Sequence, residues 1–179
     1  MLNDLDHILL TEEQIAKRVE EIGAAIARDY AGKKPLMVCI LKGSTVFFAD
    51  LIRKIPLPMD LEFMTASSYG AATVSSGRVV IKSDLDEKIK GRDVILVEDI
   101  VDSGRTLKYI RDDMSGKGVA SIRITTLLSK PDRRVTDVPV EYVGFTIPDE
   151  FVVGYGLDYD QAYRNLPMIG VLKPEIYTK

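Results

Sequence analysis

The segment Val94-Ile-Leu-Val-Glu-Asp-Ile-Val-Asp-Ser-Gly-Arg-Thr-Leu107 gathers the side chains that handling a phosphorylated sugar requires. Its first four residues are apolar and predict a buried strand, at whose carboxyl end Glu98 and Asp99 stand side by side. A short turn of Asp102, Ser103, Gly104, Arg105 and Thr106 follows, and a helix is predicted from about Leu107 to Met114. In an open α/β sheet such a junction is where ligands bind. Backbone N–H groups and hydroxyls at a helix N-terminus can cradle a phosphate. Two adjacent carboxylates can hold ribose hydroxyls or a hard cation such as Mg²⁺. An ordinary strand–turn–helix unit shares several of these parts. What sets this one apart is the combined order of apolar strand, two acids, two apolar residues, Asp-Ser-Gly and Thr.

Four more segments carry candidate chemistry. Leu41-Lys42-Gly43-Ser44 also ends an apolar run, where glycine permits close backbone approach and lysine can meet an anion. Alone it is a common strand–Gly–helix junction. Residues 67–77 are small and polar, with too little apolar bulk to hold themselves in a core, and read as the tip of an antiparallel arm. Lys130 follows a β-branched run and precedes Pro131, a position that predicts a lysine pointing outward at a loop start. In Phe145-Thr-Ile-Pro-Asp-Glu-Phe-Val-Val-Gly-Tyr-Gly-Leu-Asp-Tyr159, glycines interleave with aromatics, as a tightly turned backbone against a flat ligand requires; a hairpin with core aromatics reads the same way.

The elements that must position these groups follow from periodicity. Thr11 and Gln14 have capping-box spacing, and Ile15, Val19, Ile22, Ile26 and Tyr30 recur every three or four residues along one helix face, which Gly32 and Pro35 end. Strands are predicted at 36–41, 59–66, 78–82, from Val94, at 121–128 and at 140–146, with a helix capped by Ser44 carrying Phe47, Phe48, Leu51 and Ile52. Strands alternating with helices imply one α/β domain over residues 1–179, built on a largely parallel sheet covered on both faces.

Composition narrows the classes. The chain is 46% hydrophobic and 28% charged, as expected of a folded protein. Its 24 Lys and Arg against 27 Asp and Glu give a net charge of −3, which argues against general nucleic-acid binding. No apolar run reaches membrane-spanning length, and the N-terminal residues lack the pattern of a secretory signal. Cys39 is the only cysteine and His7 the only histidine, so a Ser-His-Asp triad or a Cys/His zinc cluster is hard to build. Cys39 reads as a small buried residue, and a single cysteine fits a reducing cytoplasm.

The segment from Val94 resembles the phosphoribosyl pyrophosphate-binding motif of the phosphoribosyltransferases, in its hypoxanthine–guanine form, which carries an aspartate where Asp102 stands. The resemblance runs from about Val38 to Arg164 in matching order. It implies the type I phosphoribosyltransferase fold, a central mostly parallel sheet flanked by helices, with a flexible antiparallel lid arm and a small hood made by the C-terminal segment and the N-terminus. It implies that Lys42 and Gly43 form a pyrophosphate loop with a cis Leu41–Lys42 peptide, and that Ser103, Gly104, Arg105 and Thr106 hold the 5′-phosphate. Glu98 and Asp99 would engage the ribose hydroxyls and Mg²⁺, and Ser68 and Tyr69 would belong to the lid. Lys130 would meet the oxygen at position six of a purine stacked on Phe151. The backbone at Val152 and Asp158 would read the purine edge, the Asp158 carboxylate would approach a second Mg²⁺, and Arg164 would bind pyrophosphate. Asp102 would take the proton from purine N7. Residues 71–77 and 132–139 match in position more than in identity and carry no roles. The expected reaction is purine salvage in the cytoplasm, transferring phosphoribosyl to hypoxanthine and guanine, by a homodimer or homotetramer. The alternatives are an RNA-binding regulator of a pyrimidine operon on the same fold and a xanthine-preferring transferase.

Overall fold

The continuous apolar runs become the interior of a sheet. A computed structural model describes residues 1–68, 79–82 and 85–178. Its strands are β1 (Leu5–Leu10), β2 (Leu36–Leu41), β3 (Asp60–Ser68), β4 (Val79–Lys82), β5 (Asp93–Val101), β6 (Ser121–Ser129), β7 (Tyr142–Thr146), β8 (Val152–Val153) and β9 (Ile169–Leu172). The helices are α1 (Glu12–Asp29), α2 (Thr45–Ile52), α3 (Asp86–Ile89), α4 (Arg105–Ser115) and α5 (Pro174–Tyr177). The main sheet has the order β4-β3-β2-β5-β6-β7, parallel from β3 to β7, with β4 antiparallel at its edge.

Alternate residues of each buried strand serve opposite faces. Met37, Cys39, Ile95 and Val97 pack with Ile15, Val19, Ile22, Phe47 and Leu51 of α1 and α2. Leu36, Val38, Ile40, Val94 and Leu96 pack with Ile89 of α3 and Leu107, Ile110 and Met114 of α4. Both faces are covered, so these strands read as apolar runs rather than alternations. The capping box forms as expected, with Thr11 accepting from Gln14 N–H and the Gln14 side chain accepting from Thr11 N–H.

Several boundaries shift by a residue or two, and two of them and one cap have a visible cause. Helix α4 begins at Arg105 rather than about Leu107, because Gly104 (φ 80°) already turns the chain into its N-cap. Strand β7 begins at Tyr142 rather than at 140: the Glu141 carboxylate accepts the Ile124 N–H at 2.7 Å and takes a place in the ladder before the strand starts. Ser44 precedes α2 without capping it, since its hydroxyl donates to the Ile40 carbonyl and lies 3.2 Å from Cys39 Sγ.

The hood is a second, antiparallel sheet of order β1-β9-β8 over Leu5, Val153, Tyr163, Leu166 and Leu172. It joins the N-terminus to the C-terminal segment. The base of the expected arm is present as the β3–β4 pairing from Thr65↔Lys82 to Ser68↔Val79. Tyr69 and the rest of the expected lid lie outside the described residues, which hold only the end of that arm at Ser68.

Candidate active site

From β2 the chain steps to β3 on one side, and β5 then returns to the other side of β2, a topological switch point. The β2–β5 ladder runs from Leu36↔Val94 to Cys39↔Val97 and ends there, so the last residues of both strands part. The Lys42–Gly43 turn leaves one lip of this crevice and the Glu98–Thr106 segment leaves the other.

The Leu41–Lys42 peptide is cis, as the resemblance implied. The Thr45 hydroxyl donates to the Lys42 carbonyl at 2.7 Å and closes the turn. A Cβ on Gly43 would collide with the Asp99 carboxylate. Backbone and acid therefore meet without a side chain between them. Gly43→Ala is expected to leave the unfolding transition nearly in place while raising the KM for the sugar-phosphate substrate roughly tenfold, because the displaced Asp99 carboxylate costs on the order of one good hydrogen bond. Unchanged kinetics would show that the close approach has no role in binding.

Burial pushes the Glu98 pKa well above the usual carboxylate range, with the Asp99 charge adding to it. Burial also raises Asp99, to about 6, although an N–H···O bond of 2.7 Å from Ile100 works against the shift. Glu98 Oε2 is closed to solvent and accepts no hydrogen bond. Two crowded acids, one with an orphaned oxygen, fit a divalent cation, which would favour their ionised forms. Among the described residues no three His, Cys, Asp or Glu side chains gather around one metal position. Glu98 and Asp99 could thus supply a cation with only part of its ligands, which suits one that takes the rest from substrate phosphates and water.

Next along the chain, Glu98, Ile100, Asp102, Ser103, Gly104 and Thr106 line a cavity of about 90 Å³. The first-turn N–H groups of α4 have no partners within the helix, and the Ser103 hydroxyl accepts from Arg105 N–H at a long 3.4 Å. From behind, Val135 N–H and Thr136 N–H donate to the Ser103 carbonyl at 3.1 and 3.2 Å, which fixes the turn. Small, polar and walled by N–H groups, this hollow suits a phosphate.

A second cavity, of about 360 Å³, is lined by Asp102, Lys130, Arg133, Asp149, Phe151 and Tyr177 among others. Asp102 lines both cavities. Lys130 does start a loop, but its side chain does not point outward: the residue is 9% exposed, and its ammonium donates to the Glu150 carbonyl at 2.6 Å with Asp149 Oδ1 at 3.5 Å. The reason is local, because Lys130 N–H donates to the Val101 carbonyl and holds the residue against β5. Phe151, 37% exposed, is stacked on Tyr177 at 4.7 Å and meets Tyr159 edge-on at 5.7 Å. A flat ligand would find an aromatic wall here, with a cation and a carboxylate at its edge.

The third wall returns to the Lys42 turn. Gly156 has φ 102°, and a Cβ there would strike the Gly43 carbonyl, so the two glycine turns back onto each other. Arg164 donates to the Gly156 carbonyl at 2.8 Å and pairs with Asp158 at 2.7 Å, and Asp158 also accepts from Gln161 N–H at 2.9 Å. The Gln161 carboxamide oxygen lies 3.4 Å from both Lys42 Nζ and Arg164 Nη2. Val152 is committed to the hood through pairing with Val171, which anchors the segment beside Phe151.

The structure thus brings Lys42, Gly43, Glu98, Asp99, Asp102, Ser103, Gly104, Thr106, Asp158 and Arg164 to one crevice, with Arg105 opening α4 beside it and Lys130 and Phe151 at its far end, while Val152 is buried in the hood pairing next to Phe151. Sequence reasoning missed Arg133, whose Nε lies 2.7 Å from Asp102 Oδ1, as well as Tyr177 and Gln161. A signal for Arg133 existed in Lys130-Pro-Asp-Arg133, since a proline-started turn returns the fourth residue to the first.

The chain is similar to known proteins over its whole length. The phosphoribosyl transferase domain family matches residues 7–160. The hypoxanthine-guanine phosphoribosyltransferase of Streptococcus thermophilus (strain CNRZ 1066) is 51% identical over 176 residues, covering 98% of each chain. That of Lactococcus lactis subsp. lactis (strain IL1403) is 49% identical, over 98% of this chain and 95% of its own. A crystal structure of a hypoxanthine phosphoribosyltransferase from Staphylococcus aureus superposes with TM-score 0.95 at 50% identity, over 100% of this chain and 97% of that one.

Proposed function

The chain belongs to the phosphoribosyl transferase family, and we propose that it transfers 5-phosphoribosyl from phosphoribosyl pyrophosphate to hypoxanthine and guanine in purine salvage. The observation that carries this reading is Asp102, shared by a small N–H-walled cavity and a larger one edged by Lys130 and Phe151. One cavity suits the sugar's phosphate and the other a 6-oxopurine. The relatives named above are transferases, which leaves the RNA-binding alternative without support.

The residues divide the work. Ser103, Gly104, Arg105 and Thr106 bind the 5′-phosphate at the start of α4. Glu98 and Asp99 orient the ribose hydroxyls, and Lys42, Gly43 and Arg164 hold the pyrophosphate end, Arg164 by its planar fork. Lys130 offers only donors, so it accepts a 6-oxo group and leaves a 6-amino group unpaired. Phe151 stacks on the base, and the backbone at Val152 and Asp158 reads its edge. Asp102 accepts the N7 proton as N9 bonds to ribose C1′ and the bond to pyrophosphate breaks. Ser68 and Tyr69 belong to a lid that excludes water from the activated ribose. Glu98 and Asp99 would hold one Mg²⁺ and Asp158 would approach a second, and the charge of such ions would neutralise that of the leaving pyrophosphate. The working form is a homodimer or homotetramer in the cytoplasm; among the described residues no helix is long and apolar enough to cross a membrane.

A steady-state panel of hypoxanthine, guanine, xanthine, adenine and uracil tests the reading. Hypoxanthine and guanine should have the highest kcat/KM and adenine and uracil negligible turnover. Preference for adenine or uracil would refute the assignment of the base, and preference for xanthine would move it to the alternative transferase.

A further inference from the structure

We propose that Arg133 is a positioning residue that holds the Asp102 carboxylate toward purine N7; this rests on the reading of Asp102 as the proton acceptor. Arg133 Nε lies 2.7 Å from Asp102 Oδ1, and its Nη1 lies 3.4 Å from Asp149 Oδ2. Asp149 Oδ1 in turn lies 3.5 Å from the Lys130 ammonium. The result is one chain of alternating charge, Asp102–Arg133–Asp149–Lys130, around the cavity that Phe151 walls. Its two ends are the groups that meet N7 and O6, which are neighbours on a single edge of a 6-oxopurine. Their partners must keep a set spacing, and a rigid guanidinium fork between two carboxylates maintains it.

Backbone geometry supports the same role. Pro131–Arg133 is a single 3-10 turn, with Arg133 N–H donating to the Lys130 carbonyl at 3.2 Å, so residue 133 returns over residue 130. Lys130 N–H donates to the Val101 carbonyl, one residue before Asp102. The next arginine turns away, Arg134 donating to Ser129 Oγ at 3.0 Å. Asp102 Oδ1 is closed to solvent yet accepts no aligned hydrogen bond, although Arg133 is close. The contact fixes the direction of Oδ1 and leaves the other carboxylate oxygen, Oδ2, for the base. Arg133, Asp102 and Asp149 are 51%, 44% and 47% exposed, so the pairs contribute little to folding in water. They strengthen when a bound purine excludes the surrounding solvent.

Five proteins test this: wild type, Arg133→Gln, Asp102→Asn, the double variant and, as the conservative control, Arg133→Lys. Each is assayed with hypoxanthine and, as an inhibitor, with 7-deazahypoxanthine, in which carbon replaces N7. Arg133→Gln should lower kcat for hypoxanthine about tenfold, the scale of a misplaced catalytic group, and leave the KM for phosphoribosyl pyrophosphate unchanged. Arg133→Lys should recover part of the loss, the double variant should be no slower than Asp102→Asn alone, and the Ki of 7-deazahypoxanthine should not move. Multiplicative losses in the double variant, equal weakening of both bases, or wild-type turnover in Arg133→Gln would overturn the role of Arg133. Wild-type turnover in Asp102→Asn would instead remove the proton acceptor on which that role depends.

Discussion

Asp102→Asn should lower kcat for hypoxanthine by roughly 10²–10⁴-fold, the span of general-base catalysis, and should leave the KM for phosphoribosyl pyrophosphate within a few-fold of wild type. The asymmetry follows from where Asp102 sits. It lines the edge of the phosphate cavity, but the cradle itself is built by Ser103, Gly104 and the start of α4, which the substitution leaves alone. On the other side it lines the larger cavity, the proposed place of the base. Asparagine fills the same space and cannot accept the N7 proton. Steady-state kinetics with each substrate varied in turn separates the two effects. Turnover within about threefold of wild type, well below that span, would remove Asp102 from the chemistry.

Lys130→Ala carries the second large effect. The ammonium has three donors; the Glu150 carbonyl takes one at 2.6 Å and Asp149 faces another at 3.5 Å, which leaves one for O6. A hydrogen bond to a charged group contributes about 1.5–3 kcal/mol, so kcat/KM for hypoxanthine should fall roughly ten- to a hundredfold. Unsubstituted purine, which lacks O6, should lose far less. Equal losses for the two bases would mean that the lysine supports the pocket rather than reads the oxygen.

Much of this was legible in the sequence because the signals are local. The Thr11–Gln14 capping box, the apolar runs of β2, β5 and β6, and the acids at the end of β5 all depend on neighbours in the chain. What escaped depends on distant contacts. Lys130 looked like a surface lysine because nothing nearby in sequence shows that the Val101 and Glu150 carbonyls close around it. Strands β8 and β9 are short, and β1 pairs with β9 across more than 150 positions of sequence, Leu5 with Leu172, so no local pattern announces the hood. Arg133 gains its meaning only when β5 and β6 place their carboxyl ends side by side. The start of α4 was misjudged by two residues because Arg105 and Thr106 read as turn chemistry, while Gly104 had already set the helix going.

One crevice is proposed to join a sugar phosphate to a 6-oxopurine. The most direct measurement is product stoichiometry with phosphoribosyl pyrophosphate, hypoxanthine and Mg²⁺, nucleotide and pyrophosphate being quantified separately. The expected result is inosine monophosphate and pyrophosphate in equal amounts, and no nucleotide when any one component is left out. Pyrophosphate without nucleotide, or no nucleotide with any 6-oxopurine, would contradict it.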